Sequence, residues 1–290
     1  MLRLYDSRQR DVLPVEPARR GQLRIGTCGP AAGRPADVGD LRVVLLADLI
    51  RRTAERRRLM ILASLGTGAA GGADHGDRER AFRADCDALG VRPAEFTTWH
   101  ELGDIIDIGV GPARQAAPQN ETETPSAGTA GHPAVRLWAG SGPLLFEGRE
   151  ADRSTTGPAR PAAPVTLAEL RRRGLDPLAL RLAFLECRYR DPLDLDWPAL
   201  AEADAALRRW RGQVADWATH PSRPLSAEHA AQVTAAFEDD LDTPAALAAL
   251  RALDSDAGVA PGARFETLAH LDQLLGLDLV SEVGKAPVPS

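Results

Sequence analysis

Gly66-Thr-Gly68-Ala-Ala-Gly71 is the stretch whose spacing comes nearest to a nucleotide-binding device. A G-x-G-x-x-G run after an apolar strand lets the backbone approach a pyrophosphate at a helix N-terminus. Here it follows the second apolar strand rather than the first. Gly72 and Asp74 stand where the helix should open, so a flexible turn is the better reading. Asp239, Asp240 and Asp242 form an acidic group with the charge to bind a metal ion, yet beside Thr243-Pro244 they read as helix caps. Cys28, Cys86 and Cys187 are odd in number and far apart, which argues against a disulfide framework. His75, His100 and His132 have no Cys/His spacing that would complete a zinc site around any of them. Two basic runs, Arg51-Arg52 with Arg56 to Arg58 and Arg171 to Arg173, read as solvated helix faces rather than phosphate sites. Trp197, Trp210 and Trp217 read as packing anchors, since no basic residues alternate with them as a base-stacking groove would require.

The elements around these residues follow from periodicity. Residues 1–20 form a polar hairpin entry anchored by Leu2, Leu4 and Tyr5. Residues 22–27 read as a strand, broken by Cys28-Gly-Pro30 and a Gly/Pro loop. Leu41, Val44, Leu45 and Leu49 put one apolar face on a helix from about Gly39 to Arg58. The run from Leu59 to Leu65 suits a buried strand, so the segment is a β-α-β unit, the start of a parallel sheet. Helices are expected over Asp77–Leu89 and His100–Ile108, then an irregular loop from Gly109 to His132 and a strand at Val135–Trp138. A second loop-like stretch covers Arg149–Pro164. Beyond it the chain reads as helices over Leu167–Arg173, Pro177–Tyr189, Trp197–Ala218, Ala227–Glu238, Pro244–Leu253 and Phe265–Leu275.

The 290 residues suffice for one large domain or two ordinary ones. The division expected is an α/β part over 1–160 and a helical part over 161–290. A net charge of -6 offers no general attraction to nucleic acid. No apolar run approaches the roughly 20 residues that span a bilayer, and the first residues carry no secretory core, so a cytoplasmic protein without membrane contact is expected. Arginine, alanine, proline and glycine abound while lysine is nearly absent. That bias discounts short glycine and alanine matches.

Five segments, in order along most of the chain, resemble the cysteinyl-tRNA synthetase and mycothiol ligase family of class I synthetases. Thr27-Cys-Gly-Pro30 is similar to its first-strand CGP element, and Asp85-Cys-Asp-Ala-Leu-Gly-Val91 to its DMDALGV helix. Arg136-Leu-Trp138 resembles its RYW strand. The run from Leu180 to Leu193 resembles its AHYRSPL helix, and that from Phe237 to Leu247 its DDDFNTPEAL element. The resemblance implies a Rossmann-like class I catalytic core followed by a C-terminal helical bundle, with ATP and magnesium as cofactors of the family reaction.

The departures fall on the residues that do the family's chemistry. Asp37-Val-Gly39-Asp40 stands where the family has HIGN. Only Gly39, which lets a nucleotide approach the backbone, is kept, and Asp37 replaces the phosphate-stabilising histidine. Glu150-Ala-Asp152-Arg153-Ser154 stands at KMSKS, where Arg153 and Ser154 alone keep the original character. Gly39, Asp37, Arg153 and Ser154 therefore mark the expected ATP region. Cys28 matches one family zinc ligand. The GWH-ECS segment is absent, and Pro118-Gln-Asn-Glu-Thr122 stands at HHENE, so zinc is not expected and Cys28 reads as a structural thiol. The anticodon-binding part is curtailed, which speaks against tRNA binding. Three functions fit: a paralogue without ligation activity that binds a protein partner or regulates; a divergent ATP-dependent ligase for a small amino-acid-like substrate other than cysteine; or a folded relic that binds nothing.

Overall fold

The computed structural model describes residues 1–30, 35–66, 75–92, 94–95, 98–113, 133–150 and 165–285. The chain opens with an antiparallel hairpin, β1 (Arg3–Asp6) and β2 (Asp11–Pro14). Four parallel strands follow: β3 (Gln22–Cys28), β4 (Met60–Gly66), β5 (Ile105–Pro112) and β6 (Ala134–Ser141). They lie in the order β4-β3-β5-β6. Their apolar runs are buried on both faces, as parallel strands covered on each side must be. The helix α1 (Val38–Arg56) joins β3 to β4, which is the β-α-β unit expected from the apolar spacing. A second helix, α2 (His75–Ala88), packs beside α1. The chain then reaches a 3-10 turn at Trp99–Leu102, which packs on β3, β4 and β5.

The helix expected over His100–Ile108 is not formed. Leu102, Ile105 and Ile106 mimic a helical face, but the β-branched run from Ile105 onward enters the sheet as β5 beside β3. Gly109 to Pro112, expected in a loop, belong to the same strand, while residues 114–132 lie outside the described residues.

A small sheet follows, in which β7 (Leu144–Phe146) pairs antiparallel with β8 (Arg149–Glu150) and parallel with β9 (Leu193–Leu195). The helices of this half are α3 (Leu167–Arg172), α4 (Pro177–Leu185), α5 (Trp197–Trp217), α6 (Ala227–Glu238), α7 (Thr243–Ser255) and α8 (Pro261–Leu275). Asp242 caps α7, its side chain accepting from the Ala245 amide at 3.2 Å, with Pro244 in the first turn. Every residue of α4 from Leu178 to Leu185 is buried, so this helix is the axis of the helical part. One apolar core runs from Leu4, Leu23 and Val44 through to Leu180, Leu247 and Leu271. The architecture is a Rossmann-like α/β sheet followed by helices. Among the described residues no helix is long and apolar enough to cross a membrane.

A buried charge cluster holds α1 against this helical part. Asp48 accepts from Arg52 Nε at 2.6 Å and from Arg181 at 2.7 Å. Arg181 is fully buried and also donates to the carbonyls of Leu89, just past α2, and Leu275, the last residue of α8. Gly276, at φ 64°, leaves room for it: a Cβ there would come within 2.6 Å of the guanidinium. Arg52, expected on a solvated face, is therefore interior. Desolvation is offset by Asp48 and by the carbonyls of Gln273 and Gly90. Arg42, also on α1 and buried, donates to the carbonyls of Gly142, Pro143, Arg188 and Asp191, and so fixes the end of β6.

Candidate functional site

In an open parallel sheet, ligands bind beyond the carboxyl ends of the strands, where successive connections leave in opposite directions. That point here lies between β3 and β5, because the chain goes from β3 outward to β4 and then back across to β5. The nearest helix N-terminus is that of α1, a ready anion site if its amides are free. They are not. The amide of Asp37 donates to the Asp40 carboxylate at 3.0 Å, and that of Val38 to the Val165 carbonyl at 3.0 Å. The amides of Gly39 and Asp40 both donate to Asp37 Oδ1, at 3.0 and 3.2 Å. All four amides that a helix start leaves open are thus taken within the protein, in a capping box built from two acids. Asp37 is 1% exposed, its carboxylate turned onto its own helix.

On the face of the sheet that carries the 3-10 turn, two tryptophans lie on glycines. A Cβ on Gly26 would come within 2.8 Å of the Trp99 ring, and one on Gly109 within 2.7 Å of the Trp138 ring. Gly26 and Gly109 are register partners on adjacent strands, so the rings sit side by side with centroids 6.0 Å apart. Trp99 donates from Nε1 to the Thr27 carbonyl at 3.2 Å. Trp99 thereby covers β3 beside Cys28, at the crevice. Nothing in the spacing of the chain singles it out. The signal was the pair of strand glycines, each needing a flat neighbour.

Cys28 ends β3 half-buried beside Leu62 and Trp99. Burial pushes its thiol up to about 12. Among the described residues no three His, Cys, Asp or Glu side chains converge as a metal-binding group. Cys28 therefore belongs to no such group there, and the described residues alone do not fit a zinc ion, which takes at least three protein ligands. Cys86 is likewise buried and pushed up to about 12. Cys187 is half-buried next to Arg42, 3.9 Å away, and its thiol too is raised by burial.

Of the residues expected at a nucleotide site, the fold brings Asp37 and Gly39 together at the start of α1. Arg153 and Ser154 lie outside the described residues, as do Asp152, residues 118–122 and the glycine-rich run beyond Gly66. The acidic group near the end of α6 is consumed by bases and caps. Asp239 pairs with Arg3, and Asp242 with Arg188. Asp240 accepts from Tyr189 Oη at 2.6 Å and the Tyr5 amide at 2.7 Å. Trp197 packs edge-on against Phe146, Trp217 is buried, and Trp210 lies under Arg251, all as packing anchors.

No family model matches the chain. The L-cysteine:1D-myo-inositol 2-amino-2-deoxy-alpha-D-glucopyranoside ligase of Streptomyces griseus is 32% identical over 214 residues, 72% of this chain and 48% of that protein. The cysteine--tRNA ligase of Xylella fastidiosa is 33% identical over 160 residues, 54% of this chain and 32% of that protein. Among solved structures, the arginyl-tRNA synthetase of Thermus thermophilus aligns with 94% of this chain and 84% of its own, at 12% identity and a TM-score of 0.44, a distant likeness from which no function is drawn. The fold belongs to the Rossmann-like α/β class. Within it, the chain is a homologue of the cysteine--tRNA ligases and the L-cysteine:inositol-glucosamine ligases, and spans at most about half the length of these curated relatives.

Proposed function

We propose that this homologue of the cysteine ligases has given up cysteine activation and acts in the cytoplasm as a binding or regulatory protein, with a protein rather than tRNA as its partner. The observation that carries this reading is the closed N-terminus of α1. Each of its four open amides is already bonded, and the two side chains involved are carboxylates. A phosphate entering there would have to displace Asp37 and Asp40 and then face their charge. At roughly 5 Å and an effective dielectric of about 20, each unit pair of like charges costs about 3 kcal/mol, more than a hundredfold in affinity. Cys28 belongs to no group of three candidate metal ligands among the described residues, which supports the loss of cysteine binding through a metal.

The test is calorimetric titration of the protein with ATP and magnesium. No heat of binding up to millimolar ATP is expected. Asp37→His combined with Glu150→Lys restores the positive character of a phosphate site and is the comparison. Micromolar binding by the unaltered chain refutes the reading. It would favour instead an ATP-dependent ligase for a small amino-acid-like substrate other than cysteine, to be sought by pyrophosphate exchange.

A further inference from the structure

A cavity of about 260 Å³ lies between α1, α2 and the β3–β4 pair, away from the closed start of α1. Its floor is apolar, made by Ile25, Val44, Leu65 and Phe82, with Ala47 and Ala63 leaving the space open. Thr27, Cys86 and Asp48 also line it, and the Asp48 carboxylate is held by Arg52 and Arg181. Thr27 is buried, and its hydroxyl makes no hydrogen bond among the described residues. The hydroxyl opens onto the cavity rather than being sealed in the core, so it is the point where a bound molecule would be recognised.

The mouth sets the charge of the occupant. Arg51 is held by Glu55 and Glu95, Arg83 by Glu79, and Arg92 by Glu55. These arginines are neutralised in place, and an anion would have to break a pair to use one. Asp87, at the same mouth, adds negative charge. Both features disfavour phosphates and carboxylates. Apolar cavities of about 150 Å³ hold benzene, so this volume takes a molecule of about ten non-hydrogen atoms. We infer that the cavity between α1 and α2 is a binding site for an uncharged, mostly apolar, ring-sized molecule carrying one hydroxyl or carbonyl that bonds to Thr27.

Two probes of the same shape test this, p-cresol and p-xylene, which differ by a hydroxyl against a methyl. Binding is read by saturation-transfer NMR and calorimetry. Both should bind the unaltered chain. Thr27→Val keeps the shape of the threonine and removes its hydroxyl, and should lower the preference for p-cresol over p-xylene about fivefold, the worth of one hydrogen bond. Ala47→Leu fills the cavity from α1 with a good helix former and should abolish binding of both. Ala94→Leu fills it from the other wall, should Ala47→Leu fail to fold by circular dichroism. Failure of both probes to bind at millimolar concentration overturns the inference. So does binding that persists in the filled variants, or a p-cresol preference unmoved by Thr27→Val.

Discussion

Asp48→Asn takes away the carboxylate that lies between Arg52 and Arg181 while keeping the shape of the side chain. Burial alone would raise the Asp48 carboxyl, but Arg181 and Arg52 outweigh it and hold the group below the ordinary value of 3.8. Removing one partner of a buried ion pair costs about 3–5 kcal/mol, because the remaining charge is left without compensation. Arg181 keeps its two carbonyl acceptors at Leu89 and Leu275, which places the cost near the lower end, at about 3 kcal/mol. In urea, with a slope of about 3 kcal/mol/M, the midpoint at pH 7 should fall by about 1 M. A depressed carboxyl contributes stability that is full above its unfolded value and is lost as the pH falls through its folded value. The gap between the two proteins should therefore be constant from pH 7 down to about 4 and narrow below it. Asp48→Leu with Arg181→Met, which replaces charge by apolar volume, should recover part of the loss. A gap under about 1 kcal/mol at pH 7, or one that does not shrink below pH 4, would refute the account of this cluster as a charge-compensated tie.

The other predictions concern the crevice. Asp37→Ala strips the start of α1 of its cap and should cost about 1–2 kcal/mol in denaturant unfolding, against a few tenths for an exposed position without a role. Gly26→Ala drives a methyl into the Trp99 ring. It should destabilise by about 1–3 kcal/mol and alter the near-ultraviolet circular dichroism, and Trp99→Ala added to it should relieve the overlap in a double-mutant cycle. Cys28 and Cys86, with thiols pushed up to about 12, should resist iodoacetamide at pH 8 in the folded protein and react once it is unfolded in urea. Rapid native-state alkylation of either, mapped by peptide mass, would show that the thiol is not held protonated.

The β3-α1-β4 unit was legible because its apolar spacing admits one reading. Leu41, Val44, Leu45 and Leu49 can share a face only on a helix, and the apolar run from Leu59 to Leu65, closed by glycines, is too short for another. β5 was missed because Ile105 and Ile106 follow Leu102 at helical spacing, and only tertiary pairing with β3 separates the two periods. Arg52 looked like its exposed neighbours, since sequence spacing does not reveal that Asp48, one turn back, faces the helical part rather than solvent. Asp37 was visible as an acid in place of a histidine. Its bonds to the amides of its own helix follow from backbone geometry that the neighbouring residues do not announce. Trp99 escaped notice for a similar reason, since its seat is a glycine 73 positions earlier, on β3.

The bond from the Tyr5 amide to Asp240 joins residues 235 positions apart. At a synthesis rate of about 5–20 residues per second, the hairpin leaves the ribosome roughly 10 to 50 s before the loop that receives it. During that interval Leu4, fully buried in the finished fold, has no partner from the far end of the chain. The hairpin can already dock on β6, where the Ser7 amide donates to the Trp138 carbonyl, and its tie to Asp240 closes afterwards.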